Sequence, residues 1–167
     1  IYRRSHAHNI ALHYDEITRN AVASQDDALK MIRKRHNEIK KRLIKPCRRV
    51  WDMACGKGGD LWKYVEHGAT YIRASDVSQL SIEEAKNRWL ESGDARCHVD
   101  FYVQSMSDPL DSDELFDLIS IQFAFHYAWA TQEMFQDVLH NIHRHLAPGG
   151  RVVLTFPDED VMQNQVS

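Results

Sequence analysis

The sequence predicts an α/β protein with a doubly wound, mainly parallel β-sheet and helices on both faces. Short apolar runs alternate with helical patterns over residues 46–156, as in successive βαβ units. A glycine-rich turn at 56–59 joins the first of these strands to the helix that follows it. The first two strands end in Asp52 and Asp76, at the carboxyl ends where parallel sheets bind ligands.

Two helices are predicted ahead of the sheet. A short one is expected around residues 10–20. The second begins near residues 24–27, because capping and acidic residues favour the first turn of a helix, and it ends before Pro46. This helix carries one apolar stripe and an otherwise cationic surface. The stripe consists of Ala28, Met31, Ile32, Ile39 and Leu43. We therefore divide the chain into an N-terminal helical segment at 1–45 and a core domain at 46–167.

The core domain alternates strands with helices. The predicted strands are 50–52, 70–75, 99–103, 116–122 and 151–156. The predicted helices are 61–67, a segment with Ile82, Ala85 and Trp89 that stops before Gly93, and a segment with an apolar face from Met134 to Leu146. Thr131 can cap the last helix, and a Pro-Gly-Gly turn at 148–150 leads into the last strand.

The glycine turn and its acids indicate the kind of cofactor. Glycines at 56, 58 and 59 allow a close approach to a ligand, but their spacing does not match G-x-G-x-x-G. Asp60 places an anion where a pyrophosphate would lie at the helix N-terminus. Acids at both ends of the turn favour a cationic cofactor without phosphate. S-adenosylmethionine is the candidate that we expect.

Asp76 has two readings. It lies at the end of the second strand, roughly 20 residues beyond the glycine turn, where an acid accepts hydrogen bonds from ribose hydroxyls. Alternatively it caps the next helix, with Ser78 or Ser81 helping and Glu84 closing a capping box. The spacing from the glycine turn favours the ribose reading.

Positive charge is concentrated in one segment, although the net charge is −3. Ten of the 21 lysines and arginines lie between Lys30 and Arg49, with Glu38 as the single acid. Such clustering is typical of proteins that bind polyanions. A solvated helix face is the alternative, but the density of charge favours contact with phosphates, and we expect Lys34 and Arg35 to contribute.

Cysteines, histidines and apolar runs limit other functions. The three cysteines show no paired metal spacing, and Cys55 is read as a small buried residue rather than a nucleophile. The ten histidines give no convincing set of converging metal ligands, so no metal is expected. No apolar run is long enough for a membrane span, and no membrane partner is expected. Because the chain begins at Ile1 and ends soon after a strand, we expect a piece of a longer protein, truncated at its C-terminus.

An aromatic cluster follows the fourth strand. Core packing is the expected role of Phe125 and Trp129. His126 and Tyr127 lie beside Gln122 at a strand carboxyl end, and there the binding-site reading is favoured.

Four stretches of the chain resemble one family. Residues 52–60, D-M-A-C-G-K-G-G-D, resemble its D-L-G-C-G-K-G-G-D motif, and residues 122–127, Q-F-A-F-H-Y, resemble its Q-F-x-x-H-Y motif. Residues 32–40 look like its basic helix, and residues 13–15, H-Y-D, resemble its H-Y-N stretch. The chain is therefore similar to the mRNA cap guanine-N7 methyltransferases, which are class I, Rossmann-like enzymes that use S-adenosylmethionine.

The resemblance implies two sets of site residues. Those implied for S-adenosylmethionine are Lys40, Asp52, Ala54, Gly56, Asp60, Asp76, Ser105 and Gln122. Those implied for the cap are His36, Asn37, Phe123, His126, Tyr127 and Pro157. Ser107 stands where some members of the family have a cap-side aromatic residue, and the chain departs from the family pattern at four further positions. Ala54 replaces a loop glycine, His36 a cap-contacting asparagine, Asp15 the asparagine of H-Y-N, and Ser105 an acid at the adenine.

The implied reaction is methyl transfer from S-adenosylmethionine to N7 of the mRNA cap guanine. His126, Tyr127 and Phe123 would align the base, and no general base is needed because N7 has a free lone pair. An inactive cofactor-binding RNA-binding or scaffolding domain and a small-molecule methyltransferase stay open as alternatives. The expected partners are guanosine-capped RNA and, beyond it, other capping enzymes or an activating subunit. The expected compartment is the nucleus, or the cytoplasm or virion of a viral system.

Overall fold

The structure is a computed structural model that describes Asn9, Leu12, Asp15 and residues 27–155. Its elements, labelled here in chain order, are α1 (Asp27–Leu43), β1 (Arg49–Asp52), α2 (Leu61–Glu66), β2 (Tyr71–Asp76), α3 (Gln79–Ser92), β3 (His98–Val103), β4 (Phe116–Gln122), a 3₁₀-helix (Phe125–Ala130), α4 (Gln132–His145) and β5 (Leu146–Thr155). Of the helix predicted around residues 10–20, only Leu12 and Asp15 are described, and both are helical.

Within the described residues, the five strands form one parallel sheet in the order β3-β2-β1-β4-β5. The chain builds outward from β1 to β3 and then returns to the other side of β1 with β4. This reversal opens a crevice between the carboxyl ends of β1 and β4, which is where doubly wound sheets bind ligands. The predicted fold class is confirmed.

Two hydrophobic cores lie on opposite faces of the sheet. In β1, Val50 belongs to one core and Trp51 to the other, because successive side chains of a strand point to opposite faces. The first core packs β1 and β2 against α2 and α3, while the second packs β1 and β4 against α4 and the 3₁₀-helix. Both faces of the central strands are therefore covered, as apolar strands require.

The boundaries of the core elements follow the sequence prediction closely, except for the last strand. β5 begins at Leu146, ahead of the predicted turn at 148–150. Phe116 pairs with Leu146 but Leu118 pairs with Arg151, so residues 147–150 form an irregularity within the strand pairing. Gly149 has a φ of 76° there, which a glycine adopts without strain. The predicted turn at 148–150 therefore corresponds to this irregularity, although Leu146 ahead of it already pairs with Phe116.

The apolar stripe of α1 is exposed among the described residues. Met31 is 71% exposed, and Ile39 and Leu43 are each more than 40% exposed. Ile44, directly after the helix, is instead buried in the first core at 1% exposure. The C-terminal end of α1 is thus tied to the sheet, while its cationic surface faces outward.

Gly58 fixes the close packing of the glycine turn against two helices. Its φ is 72°, and a Cβ built there would lie 3.0 Å from Leu61 Cδ1 and 3.1 Å from Ala85 Cβ. A Cβ built on the next residue, Gly59, would have no atom within 4 Å, and the φ of Gly59 is not in the left-handed region. Only Gly58 is therefore required by both conformation and space.

We expect Gly58→Ala to lower the free energy of unfolding by about 1–3 kcal/mol, since the alanine is strained at positive φ and crowded by α2 and α3. The measurement is denaturant unfolding, with Gly59→Ala as the matched control that costs much less. Equal losses in the two variants would contradict this account of the turn.

Candidate functional site

The carboxyl ends of β1, β2 and β4 border a cavity of about 300 Å³, a size typical of small-molecule sites. It lies at the crevice where the strand order reverses. Most of the residues implied for the cofactor line it, together with two aromatic residues implied for the cap. The lining residues are Lys40, Met53, Ala54, Cys55, Gly56, Gly59, Asp60, Asp76, Val77, Ser105, Met106, Gln122, Phe123, Ala124, Tyr127 and Met134.

Asp76 ties the end of β2 to the glycine turn. Its Oδ2 accepts a hydrogen bond from the Gly56 N–H at 2.8 Å, and its Oδ1 accepts one from the Ser78 N–H at 2.9 Å. Each carboxylate oxygen has a further lone pair with which it can accept a ligand hydroxyl. Burial raises the pKa of Asp76, while the backbone N–H groups of Ser78, Gly56 and Val77 oppose that rise.

The capping alternative for Asp76 is wrong. Ser78 is the N-cap of α3, and its hydroxyl accepts the Ser81 N–H at 3.1 Å. Glu84 pairs with Lys57 at 2.8 Å instead of closing a capping box. Asp15, which replaces an asparagine of the family motif, accepts a hydrogen bond from the Ser78 hydroxyl and so lies beside this part of the site.

Asp60 is held by two lysines. Lys40 of α1 places its Nζ 2.6 Å from Asp60 Oδ2, and Lys63 of α2 places its Nζ 2.7 Å from Asp60 Oδ1. All three side chains are largely buried, so their charges need this pairing. Lys63 was missed by the sequence analysis, although its i, i+3 spacing from Asp60 at the helix start was a usable signal.

Asp52 lies behind the cavity wall, at 1% exposure, and is not among the lining residues. Its Oδ2 accepts a hydrogen bond from the Tyr64 hydroxyl at 3.2 Å, while its Oδ1 is buried with no partner among the described residues. Burial, and then the nearby charge of Asp60, raises the pKa of Asp52 to about 7 against the opposing effect of Lys40. This carboxyl is therefore close to a change of charge at neutral pH.

The aromatic end of the cavity is built on Phe123, where the chain leaves β4. The rings of His36 and Phe123 stack with centroids 4.3 Å apart, and Lys40 Nζ lies 5.3 Å from the Phe123 ring centroid. Tyr127 lines the cavity, with its ring centroid 4.0 Å from that of His126. Burial lowers the pKa of His126, which favours a neutral imidazole near pH 7.

Two neighbours of this cluster differ in burial. Phe125 is 6% exposed and belongs to the second core, as expected. Trp129 is 56% exposed, so its predicted core role is wrong. The rings of Trp129 and Phe125 pack edge to face in the 3₁₀-helix, with ring centroids 5.8 Å apart.

For two residues implied for the cap, Asn37 and Pro157, the roles stay predictions. Asn37 is exposed on a second concave surface on α1, which we call the basic face. The basic face is lined by Lys30, Arg33, Lys34, Asn37, Glu38 and Lys41. Pro157 falls outside the described residues.

Two departures from the family motif fit the site. Ala54 has a negative φ, since Phe123 is the only non-glycine residue with positive φ in the described part of the chain, so alanine fits its loop position. Ser105 lines the cavity, where its hydroxyl lies 2.9 Å from that of Ser107, and its N–H is bound by Asp108 at 2.9 Å.

The apolar lining was largely missed by the sequence analysis. Three methionines, Met53, Met106 and Met134, contribute flexible, polarizable side chains to the wall. Met134 had been counted only as part of the apolar face of α4. Cys55 is 8% exposed with a free thiol, and burial raises its pKa well above the usual value, so the expectation of an inert small residue is supported.

The described part of the chain contains neither a metal-binding cluster nor a membrane-spanning helix. Among residues 27–155 and the three described residues before them, no group of three or more His, Cys, Asp or Glu side chains could hold a metal ion. No described helix has the length and apolar character that crossing a bilayer requires.

Comparison with known proteins identifies sequence relatives. The mRNA cap guanine-N(7) methyltransferase 1 of Arabidopsis thaliana is 32% identical over 178 residues, which cover 95% of this chain and 48% of that protein. The mRNA cap guanine-N(7) methyltransferase of Saccharomyces cerevisiae is 32% identical over 170 residues, covering 93% of this chain and 39% of that protein. The chain therefore spans about half the length of these relatives, or less.

A solved structure supports the fold, and a family model matches the sequence. A putative S-adenosylmethionine-dependent methyltransferase from Listeria monocytogenes superposes with a TM-score of 0.59 at 21% identity, covering 70% of this chain and 52% of that one. The family model for the mRNA (guanine-N(7))-methyltransferase domain matches residues 2–167. With this match added to the glycine turn, the acids and the aromatic end already described, the chain belongs to the mRNA (guanine-N(7))-methyltransferase domain family, as its motifs predicted.

Proposed function

We propose that the full-length protein transfers a methyl group from S-adenosylmethionine to N7 of the guanine cap of RNA. The observation that carries the proposal is the single cavity wall that joins buried acids at the glycine turn to an aromatic end at Phe123 and Tyr127. A cationic cofactor suits the first part and a purine base suits the second. Membership of the family makes S-adenosylmethionine the expected methyl donor.

The acidic part of the cavity fits the cofactor. Asp76 would accept hydrogen bonds from the ribose hydroxyls with the lone pairs that Gly56 and Ser78 leave unused. Asp60, with Lys40 beside it, offers both signs of charge to the carboxylate and ammonium groups of the methionine part. The bound cofactor would supply a methyl group activated by a positively charged sulfur.

The aromatic part of the cavity fits the cap. Phe123, already stacked by His36 on one side, and Tyr127 offer ring faces to a guanine. The guanine gains positive charge as its N7 is methylated, and aromatic faces stabilise such a cation. Alignment of the base with the methyl donor is the main contribution that these residues make, worth in principle roughly 7–11 kcal/mol of the barrier.

The basic face lies on the same helix that supplies Lys40 to the cavity and stacks His36 on Phe123. Lys30, Lys34 and Lys41 share one side of α1, because the helix advances by about 100° per residue. Lys41 pairs with Glu66 at 3.5 Å, but both side chains are more than half exposed, so the pair holds Lys41 only weakly. We propose that these cations contact the phosphates of the RNA that follows the cap.

The direct test is transfer of labelled methyl from S-adenosylmethionine by the full-length protein. We expect product on guanosine-capped RNA and none on the same RNA without the cap.

Asp76→Ala should weaken cofactor binding by about 1.5–3 kcal/mol, the range for lost hydrogen bonds to a charged group. Calorimetry measures that affinity.

Asp94→Ala is the matched control for Asp76→Ala. Asp94 is an acid after a helix, bound to Arg96 and remote from the cavity lining, so its loss should leave the cofactor affinity unchanged. An equal affinity in the Asp76 variant and the control would exclude the ribose role. Cofactor and capped-RNA binding without transfer would instead indicate an inactive binding domain.

Cofactor affinity should rise with pH because of Asp52. Its pKa of about 7 means that the carboxyl is neutral below that pH and charged above it. The positively charged sulfur of bound S-adenosylmethionine favours the charged form of the Asp52 carboxyl. Binding therefore lowers the pKa of Asp52, and the carboxyl releases a proton. The affinity for S-adenosylmethionine should therefore increase between about pH 6 and pH 8, by up to about tenfold per unit of lowered pKa.

Two controls isolate this effect in titration calorimetry. S-adenosylhomocysteine has the same groups but an uncharged sulfur, so its affinity should depend less on pH. Asp52→Asn removes the titrating group and should remove the difference between the two ligands. The same pH dependence for both ligands in the unmodified protein would contradict the assignment.

The basic face is tested with two pairs of substitutions on α1. Lys34→Gln with Lys41→Gln removes two charges from the basic face, whereas Arg35→Gln with Arg42→Gln removes two from another side of the helix. All four side chains are exposed, and the two residues of each pair lie seven positions apart. Charge density in the sequence grouped Arg35 with Lys34, but Arg35 is not among the residues that line the basic face. We therefore expect only the first pair to flatten the salt dependence of capped-RNA affinity, by about 0.7 in log–log slope per lost contact.

The readout is capped-RNA affinity measured at several salt concentrations. A cap dinucleotide without further RNA should bind both double variants equally, because it cannot reach the basic face. Equal slopes for the two double variants on capped RNA would mean that the basic face is only solvated.

A further inference from the structure

Phe123 has an unusual backbone conformation at a point that the site depends on. Its φ is 58°, in the left-handed region, and no other non-glycine residue in the described part of the chain has positive φ. A bulky residue in this region costs of order 1–3 kcal/mol and persists only where the surroundings hold it. The chain leaves β4 at this residue, and Phe123 lines the cavity while its ring stacks on His36.

Thr155, at the end of β5, holds the backbone of Phe123 through two groups. The Phe123 N–H donates to the Thr155 carbonyl oxygen at 2.8 Å and to the Thr155 Oγ1 at 2.9 Å. The Thr155 hydroxyl in turn donates to Gln122 Oε1 at 2.9 Å. Gln122 and Thr155 are also paired in the sheet register, so the strand pairing brings these groups together.

Further hydrogen bonds connect Gln122 to buried residues behind the cavity wall. The Gln122 side-chain amide donates to Ser120 Oγ at 2.9 Å, and the hydroxyl oxygen of Tyr64 lies 2.9 Å from the same atom. Tyr64 also reaches Asp52 at 3.2 Å. The Thr155 hydroxyl is therefore the outer end of a hydrogen-bond chain that begins at a buried acid beside the cavity.

We propose that Thr155 is a positioning residue that sets the Phe123 ring for the base to be methylated. Its hydroxyl does so by accepting the Phe123 N–H and by donating to Gln122 at the same time. A valine at this position would keep the shape and the backbone carbonyl but would leave Gln122 Oε1 without that donor. The consequence for catalysis rests on the proposed cap methylation, whereas the effect on the ring does not.

The first experiment reports on the ring without requiring any activity. The full-length protein is compared with Thr155→Val, Thr155→Ser and Thr131→Val by NMR of the histidine ring protons. Thr131 is a matched control, because its Oγ1 also accepts a backbone N–H, that of Met134 at 3.1 Å, at the start of α4. We expect the upfield shift that Phe123 imposes on His36 to be reduced in Thr155→Val alone and restored by serine.

The second experiment separates positioning from general loss of structure. For Thr155→Val we expect the KM for capped RNA to rise about five- to thirtyfold, the effect of losing one or two hydrogen bonds, with little change in S-adenosylmethionine affinity. Thr155→Ser should stay close to the unmodified protein. Thr131→Val should lower the melting temperature and leave both substrate parameters unchanged.

Each outcome decides a different point. An unchanged His36 shift in Thr155→Val overturns the positioning role. Parallel losses of melting temperature, cofactor affinity and RNA affinity, not repaired by serine, would make Thr155 a purely structural residue and overturn it as well. If the unmodified protein methylates no capped RNA, the proposed function fails, and the His36 shift still decides whether Thr155 positions the ring.

Discussion

The burial of three carboxyl groups at one edge of the sheet is the constraint on which the rest of the site depends. Parallel strands bring Asp52 and Asp76 to the same crevice, and the glycine turn adds Asp60. Buried charge is costly unless it is paired or neutralised. Each acid meets the cost differently: Asp60 through two lysines, Asp76 through backbone N–H groups, and Asp52 through a pKa raised to about 7.

This compensation also connects the two parts of the cavity. Lys40 reaches Asp60 from α1, and one turn earlier the same helix places His36 on the ring of Phe123. A helix held at its end by a buried ion pair is thereby held at its aromatic contact too. On the other side, the strand pairing of β4 with β5 fixes Phe123 through its backbone. The acidic and aromatic parts therefore share supports instead of folding independently.

Local pattern was enough to predict much of this molecule. The alternation of apolar runs and helical patterns gave the parallel sheet, because strand and helix periods are properties of short segments. The glycine turn and Asp76 were predicted from motif and spacing, and Lys40 from the family resemblance; all three line the cavity. Charge density alone indicated the basic segment, but it grouped Lys34 with Arg35, which lie about 100° apart around α1.

What the sequence determined by itself is the set of elements and the chemical types at their ends, since these depend on neighbours a few residues away. The tertiary structure alone decided which distant side chains meet. It joined Lys40 to Asp60 and Thr155 to Phe123, left Trp129 exposed, and directed Asn37 to the basic face. The physical reason is that such contacts follow from the register of the sheet and the rotation of a packed helix, and neither is encoded in any short stretch of chain.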